Sequence, residues 1–198
     1  MKIKTRSFRS EVFRSAFIVS AAICSALGLS ACRDGSVDET CYWGPIPNEK
    51  RMEILKLRGV KTIVMVRLNP MHKVEENARR LGINYVHIPT GLFTAPPDEG
   101  IKQFVEIARN PANQPLYICD QVARDRTQFY AGLYGMLHEG WSADRASWQM
   151  YRNGLRHWWP WFYKYHRIAR EHEEEIHKAS SVVVERSDQQ KSDSNSDK

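Results

Sequence analysis

Nowhere in the 198 residues is there an apolar run long enough to span a bilayer, and the four cysteines are too few for a disulfide scaffold. No repeat recurs at periods of 20 to 50 residues, which excludes solenoids and propellers. A length of 198 excludes a large multidomain enzyme and leaves room for one ordinary domain with attachments. Charge of one sign is also scarce where it would matter. Five of the basic residues (Lys2, Lys4, Arg6, Arg9, Arg14) fall in positions 1–31 beside a single acid, Glu11, so the remaining chain carries only +2 of the formal +6. A nucleic-acid partner needs its basic residues clustered on the folded body, so that class is set aside.

What is present at the start is an export signal, residues 1–31. A basic opening leads into the apolar stretch Ala16–Ala31, whose 16 residues are broken only by Ser20, Ser25, Gly28 and Ser30. It ends in Leu29-Ser30-Ala31-Cys32, which resembles the bacterial lipobox, where cleavage precedes an acylated cysteine. Cys32 is therefore the expected lipid attachment point, with 32–37 as a short tether, a membrane as partner and a cell-envelope location facing the periplasm or exterior. Arg33 follows it in place of the aspartate that retains such proteins at the inner membrane, which points to the outer membrane where a cell has one. Cys24 goes with the discarded signal, leaving Cys41 and Cys119 in the body. Two readings of that pair stand: two buried strand residues, which takes precedence, and a disulfide.

At the other end, Ser180 to Lys198 is rich in Ser, Asp, Gln and Lys, with only Val182-Val183-Val184 as an apolar group, and reads as a disordered tail. Tyr165 to Lys178 reads as a charged, solvated helix, which leaves residues 38–165 as the folded domain and 166–198 as charged helix and tail. His166, His172 and His177 stand among Glu171, Glu173, Glu174 and Glu175, but the spacing lacks His-Glu-x-x-His, so no metal is expected there. The aromatic run His157 to Tyr165 is read as core packing around the last helix, with a membrane-interface belt as the alternative.

Inside the body, β-rich runs alternate with helix-period segments. Strands are expected at Lys61–Val66, Asn84–Ile88 and Pro115–Cys119, and helices at Lys73–Leu81, Pro97–Arg109 and Arg126–Glu139, the last with Phe129, Leu133, Met136 and Leu137 on one face. Ser142 is the expected cap of a further helix carrying Ala146 and Met150. Such alternation predicts an α/β fold, a mainly parallel central sheet flanked by helices, with function beyond the carboxyl ends of the strands. That rule points to the segment Cys119-Asp120-Gln121-Val122-Ala123-Arg124-Asp125-Arg126-Thr127.

Asp125-Arg126-Thr127 leading into a helix, then Glu139-Gly140-Trp141-Ser142-Ala143, resembles the small bacterial cysteine-dependent dual-specificity and tyrosine phosphatases. Those enzymes carry His-Cys-x-x-Gly-x-x-Arg-Thr at this strand-to-helix turn. Tyr42 to Pro47, Leu57 to Thr62, Leu81 to Pro89 and Asn110 to Pro115 support the likeness, which covers roughly 39–155 in the family's order. The resemblance implies a phosphate-cradling loop (Gln121, Val122, Ala123, Arg124, Asp125), Arg126 as the bidentate grip and Thr127 as the hydroxyl serving the leaving thiolate, with no cofactor or metal. It also exposes departures. Asp120 stands at the nucleophile position, Cys119 where the family has histidine, Ala123 for a glycine, Gln128 for the glycine after threonine, and Leu92 where the general acid belongs. Asp98 and Glu99 are the nearest acids and are expected to stabilise a helix start. Cys119 as a slipped nucleophile is the lesser alternative, because Cys-x6-Arg adds one residue and reverses the side-chain direction. The expectation is a non-catalytic, membrane-tethered phosphatase-fold protein that binds a phosphoprotein or other protein ligand. The alternative is a working phosphomonoester hydrolase using Cys119 or Asp120.

Overall fold

The computed structural model describes residues 34–155 and 161–180, the side chains of Trp161 and Phe162 excepted. The signal, Cys32 and the tail beyond 180 lie outside the described residues, as do residues 157–160 of the aromatic run. Five strands form one sheet in the order β1-β2-β5-β3-β4: β1 (Gly35–Ser36), β2 (Cys41–Pro45), β3 (Thr62–Met65), β4 (Asn84–His87) and β5 (Leu116–Asp120). Only β1 runs antiparallel; β2, β5, β3 and β4 are parallel neighbours. Parallel strands buried on both faces read as unbroken apolar runs, which is why β3 and β5 stood out in the sequence.

Helices cover both faces. On one side α1 (Glu49–Leu57) and α2 (His72–Arg80) set Met52, Leu55, Val74 and Ala78 against Ile63, Met65, Tyr117 and Cys119. On the other, α3 (Asp98–Arg109), α4 (Arg126–His138), α5 (Ala143–Arg152) and α6 (Trp161–Glu171) share one buried cluster with Val64, Leu116 and Ile118; α4 lies against β2 and β5, α3 and α5 against α4, and α6 against α5. The strand period of two sends alternate residues to the two faces, so Ile118 and Cys119 belong to different clusters. Cys41 lies with Ile118 on the α4 face and Cys119 on the α1 face, and both are free thiols. The disulfide reading is therefore corrected: side chains leaving opposite faces of a sheet cannot bridge.

Two further expectations change. Helix α4 is buried from Arg126 to Leu137 on every side rather than along one apolar face. Gly132 and Gly135 make this packing feasible: a Cβ on Gly132 would lie 2.6 Å from Met150 Cε, and one on Gly135 would run into the Trp141 ring. The helix expected to be solvated over 165–178 is docked instead. Tyr165, Ile168, Ala169 and Ile176 join the same buried cluster as α4, while the charges face outward, so the packed body does not stop at 165. Helical residues 173–180 follow α6 after a turn at His172. Ser142 caps α5 as expected, accepting from Arg145 N–H at 3.2 Å.

Candidate anion-loop site

The carboxyl ends of β2, β5, β3 and β4 point the same way, and the loop between β5 and α4 occupies the middle of that end. Residues 121–125 bring the chain from the last strand residue to the first turn of α4, whose leading N–H groups have no partner inside the helix. One oxygen of Asp120 fills this loop from within. Oδ1 accepts from Val122 N–H at 2.9 Å and Ala123 N–H at 2.6 Å. Oδ2 accepts from Arg126 Nε at 3.2 Å. Asp120 is 1 % exposed and Arg126 8 %, so the pair is shut off from solvent. Charge-assisted hydrogen bonds are roughly twice as strong as neutral ones, and three converge on this carboxylate.

The turn requires Ala123 to take φ 53°, in the left-handed region that glycine occupies freely. Gln128 Nε2 donates to Ala123 O at 3.1 Å from inside α4, tying that residue down. Arg126 is steadied a second time, Nη1 donating to Thr90 O at 3.3 Å beyond the end of β4. Thr90 Oγ1 donates to Ile88 O at 3.2 Å and meets Tyr130 Oη at 3.0 Å. Burial raises the Tyr130 phenol to about 12, against which its contact with Thr90 works downward. Thr127 Oγ1 is buried with no hydrogen-bond partner among the described residues, and so is Tyr165 Oη. Tyr165 stacks on Phe129 with ring centroids 5.0 Å apart, and burial, then Asp125, raise its phenol well above the usual range. Of the predicted loop residues, Asp125 is buried, whereas Gln121, Val122 and Arg124 face solvent.

Cys119 sits elsewhere. Its side chain is fully buried on the α1 face, and burial, with the Asp120 charge adding to it, pushes the thiol far above its ordinary value. A thiolate nucleophile requires the opposite shift. Leu92 is 39 % exposed in the loop after β4. Asp98 and Glu99 occupy the first turn of α3 behind Pro97, where they complement the helix dipole; Asp98 also lies 3.9 Å from His172 Nε2. The remaining histidines hold the C-terminal helices to the body: His166 Nδ1 contacts Ser147 Oγ at 2.7 Å, and His177 Nε2 contacts Trp141 O at 3.2 Å. Among the described residues no group of three His, Cys, Asp or Glu is placed to hold a metal ion.

Thr90 and Tyr130 went unnoticed in the sequence, and Tyr165 was read only as core packing around the last helix. Thr90 acts chiefly through a backbone carbonyl, which side-chain identity does not reveal. Its position just past the end of a parallel strand was the available signal.

A mainly parallel sheet, a loop that closes on an anion at a helix start and an arginine in that helix's first turn define the fold class of the cysteine-based phosphatases. The comparisons agree. The profile described as PTP-NADK, DSP-PTPase phosphatase fused to NAD+ kinase, matches residues 31–136, and the chain belongs to that family. A curated relative, "Probable NAD kinase 2, chloroplastic" from Oryza sativa subsp. japonica, is 31% identical over 99 residues; the match takes in 45% of this chain and only 10% of the relative. Among solved structures, the core catalytic domain of the PP-IP phosphatase SIW14 from S. cerevisiae superposes with TM-score 0.64 at 17% identity, covering 77% of this chain and 94% of that one. PTPMT1 gives 0.60 at 15% identity over 75% and 99%. TpbA from P. aeruginosa gives 0.56 at 16% identity over 77% and 91%. At these identities the structural likeness establishes the fold.

Proposed function

We propose that this chain is a membrane-tethered phosphatase-fold protein that binds a ligand or partner rather than hydrolysing phosphate esters. The observation that carries the reading is the Asp120 carboxylate, held by two loop N–H groups and Arg126 in the position where an incoming oxyanion would sit. The family to which the sequence is similar places its nucleophilic cysteine at this position. A carboxylate there repels the substrate: like charges at about 4 Å cost roughly 4 kcal/mol per unit pair at an effective dielectric of 20, and about twice that against a dianion. Charge-assisted hydrogen bonds return about 1.5 to 3 kcal/mol each, comparable to the repulsion, so oxyanion affinity is weak. Buried Cys119 on the opposite face and apolar Leu92 supply neither thiolate nor acid. An aspartyl-phosphate route relies on a divalent cation to offset the charge.

Tethering through Cys32, and with it the envelope location, rests on the lipobox-like run. Cys32→Ala is expected to stay unprocessed, and normal cleavage of that variant would remove this part of the proposal. For the loop, the test is p-nitrophenyl phosphate turnover by the purified chain with and without Mg²⁺. Near-zero turnover in both is expected. Robust metal-independent hydrolysis that disappears in Cys119→Ser would overturn the binding reading in favour of a working enzyme. The kinase activity in the rice relative's name belongs to a protein of which this chain spans a tenth, and it forms no part of the proposal.

A further inference from the structure

Three loops leave the carboxyl ends of adjacent parallel strands: residues 66–71 after β3, 88–97 after β4 and 121–125 after β5. Such ends are ordinarily polar, yet four large apolar side chains stand exposed on them: Leu68 (62%), Leu92 (39%), Phe93 (59%) and Val122 (52%). Half-buried Arg67 and exposed Arg124 sit in the same loops. The Asp120–Arg126 pair they surround is sealed, so these side chains do not line an open catalytic cleft.

The N-terminal end of the described body arrives at the same place. β1 runs antiparallel to β2 with Gly35 opposite Trp43, so Asp34 comes out beside Gly44, next to the last residue of β2. Asp34 indeed packs on Gly44, where an added Cβ would collide with its carboxylate, and pairs with Arg51 in the first turn of α1. β2 is in register with β5, Pro45 opposite Asp120. Asp34 therefore lies at the loop end of the sheet, two strand spacings from β5, about 10 Å. Two peptide units connect it to Cys32, a reach of at most about 7 Å.

We infer that the loop end of the sheet rests on the lipid surface, with Leu68, Phe93 and Val122 entering the interface and Arg67 and Arg124 meeting anionic headgroups. The inference rests on the tether at Cys32: a lipid anchored there cannot hold the opposite end of the sheet against the membrane without unpairing β1. Acyl chains supply attachment, and the apolar loop tips fix orientation, as amphipathic surfaces do at an interface. Ligands would then reach the rim around the sealed Asp120–Arg126 pair from the plane of the membrane, which favours ligands presented at that surface.

The test uses the full processed chain in phosphatidylethanolamine–phosphatidylglycerol vesicles that carry a photoactivatable acyl chain, with lipid adducts mapped by mass spectrometry. The N-terminal peptide's mass reads acylation at Cys32 independently. Expected are an acylated Cys32 and adducts in peptides spanning 66–71, 91–95 and 121–124. Those adducts should be lost in the Leu68→Ser, Phe93→Ser, Val122→Ser triple variant, whose thermal unfolding confirms its fold. Should that variant unfold, the wild-type adduct map alone decides. Acylated protein with adducts on the exposed Trp148 and Tyr151 of α5, or spread evenly, overturns the docking face while leaving the tether intact. An unacylated Cys32 overturns the tether and this orientation with it.

Discussion

Replacing Asp120 by alanine removes the one group that satisfies the interior of the anion loop. Two N–H donors lose partners at 2.9 and 2.6 Å, and the Arg126 guanidinium loses a carboxylate at 3.2 Å while remaining 8 % exposed. Breaking one side of a buried ion pair costs about 3–5 kcal/mol, most of it from the charge left behind. The cost should not climb further, because the vacated loop can admit water or an anion. For a domain of this size each kcal/mol lowers the melting temperature by about 2–4 °C, so Asp120→Ala is expected to melt about 6–20 °C below wild type in anion-free buffer. The same change removes the repulsion that keeps oxyanions out. Phosphate or vanadate at a hundred times its dissociation constant would restore about 2.7 kcal/mol. The assay is thermal unfolding across a phosphate titration, with sodium chloride of equal ionic strength as control. Wild type should barely respond, and the variant should climb back toward it. An unchanged melting temperature in the variant, or equal phosphate responses in the two proteins, would refute the idea that Asp120 is a built-in anion.

Cys119 is expected to resist iodoacetamide at neutral pH in the folded protein and to react fully in denaturant, read by intact mass; rapid labelling of the native chain would contradict its burial. His138, whose folded pKa is lowered by burial against the opposing Ala108 carbonyl contact, binds its proton more readily when unfolded. Its contribution to stability is therefore complete above the unfolded value near 6.5 and declines as pH falls below it, until the lower folded pKa is passed. His138→Gln should flatten that part of the urea-denaturation pH profile, and an unaltered acid slope would assign it to other groups. Gly135→Ala places a methyl group in the Trp141 ring and should cost about 1–3 kcal/mol by urea denaturation, as overpacking does, whereas a neutral result would mean that the α4 to Trp141 contact is loose.

The elements legible in the sequence were those whose residues carried the signal themselves. β3 and β5 are apolar runs buried on both faces, and α3 announces itself with Pro97, Asp98 and Glu99 at its start. α1 was missed because its apolar residues straddle two sides: Met52 and Leu55 are buried while Ile54 and Leu57 are exposed. β1, only Gly35 and Ser36, has no β signature and exists because β2 offers an edge. The docked C-terminal helix was hidden by its charges. Yet Tyr165, Ile168, Ala169 and Ile176 fall on one helical stripe at i, i+3, i+4 and i+11, with His172 at i+7 completing it. The loop residues Asp120, Ala123 and Gln128 could be picked out one by one, whereas the way they interlock, Gln128 holding strained Ala123 and Thr90 holding Arg126, depends on backbone carbonyls and needed the fold.

That interlocking bears on why an aspartate and an arginine are buried together at all. A buried ion pair contributes little net stability against apolar residues of the same volume, so stability alone is a poor reason for the Asp120–Arg126 pair. What the pair does is hold the loop without a ligand: Val122 N–H, Ala123 N–H and Arg126 Nε are already engaged, and the outward side chains are Gln121, Val122 and Arg124. A ligand that meets this end of the protein therefore meets apolar tips and one exposed guanidinium before any phosphate cradle. Recognition in the proposed binding role then belongs to the rim, and the sealed pair keeps that rim in one conformation. Asp120→Asn separates the two contributions. The amide oxygen can still accept from Val122 and Ala123, while the amide NH2 put in the place of Oδ2 neither accepts from Arg126 Nε nor carries a countercharge, so oxyanion affinity should rise while the two loop N–H contacts are kept. If Asp120→Asn bound phosphate no better than wild type, charge exclusion would be the wrong account, and the cradle would be closed by shape alone.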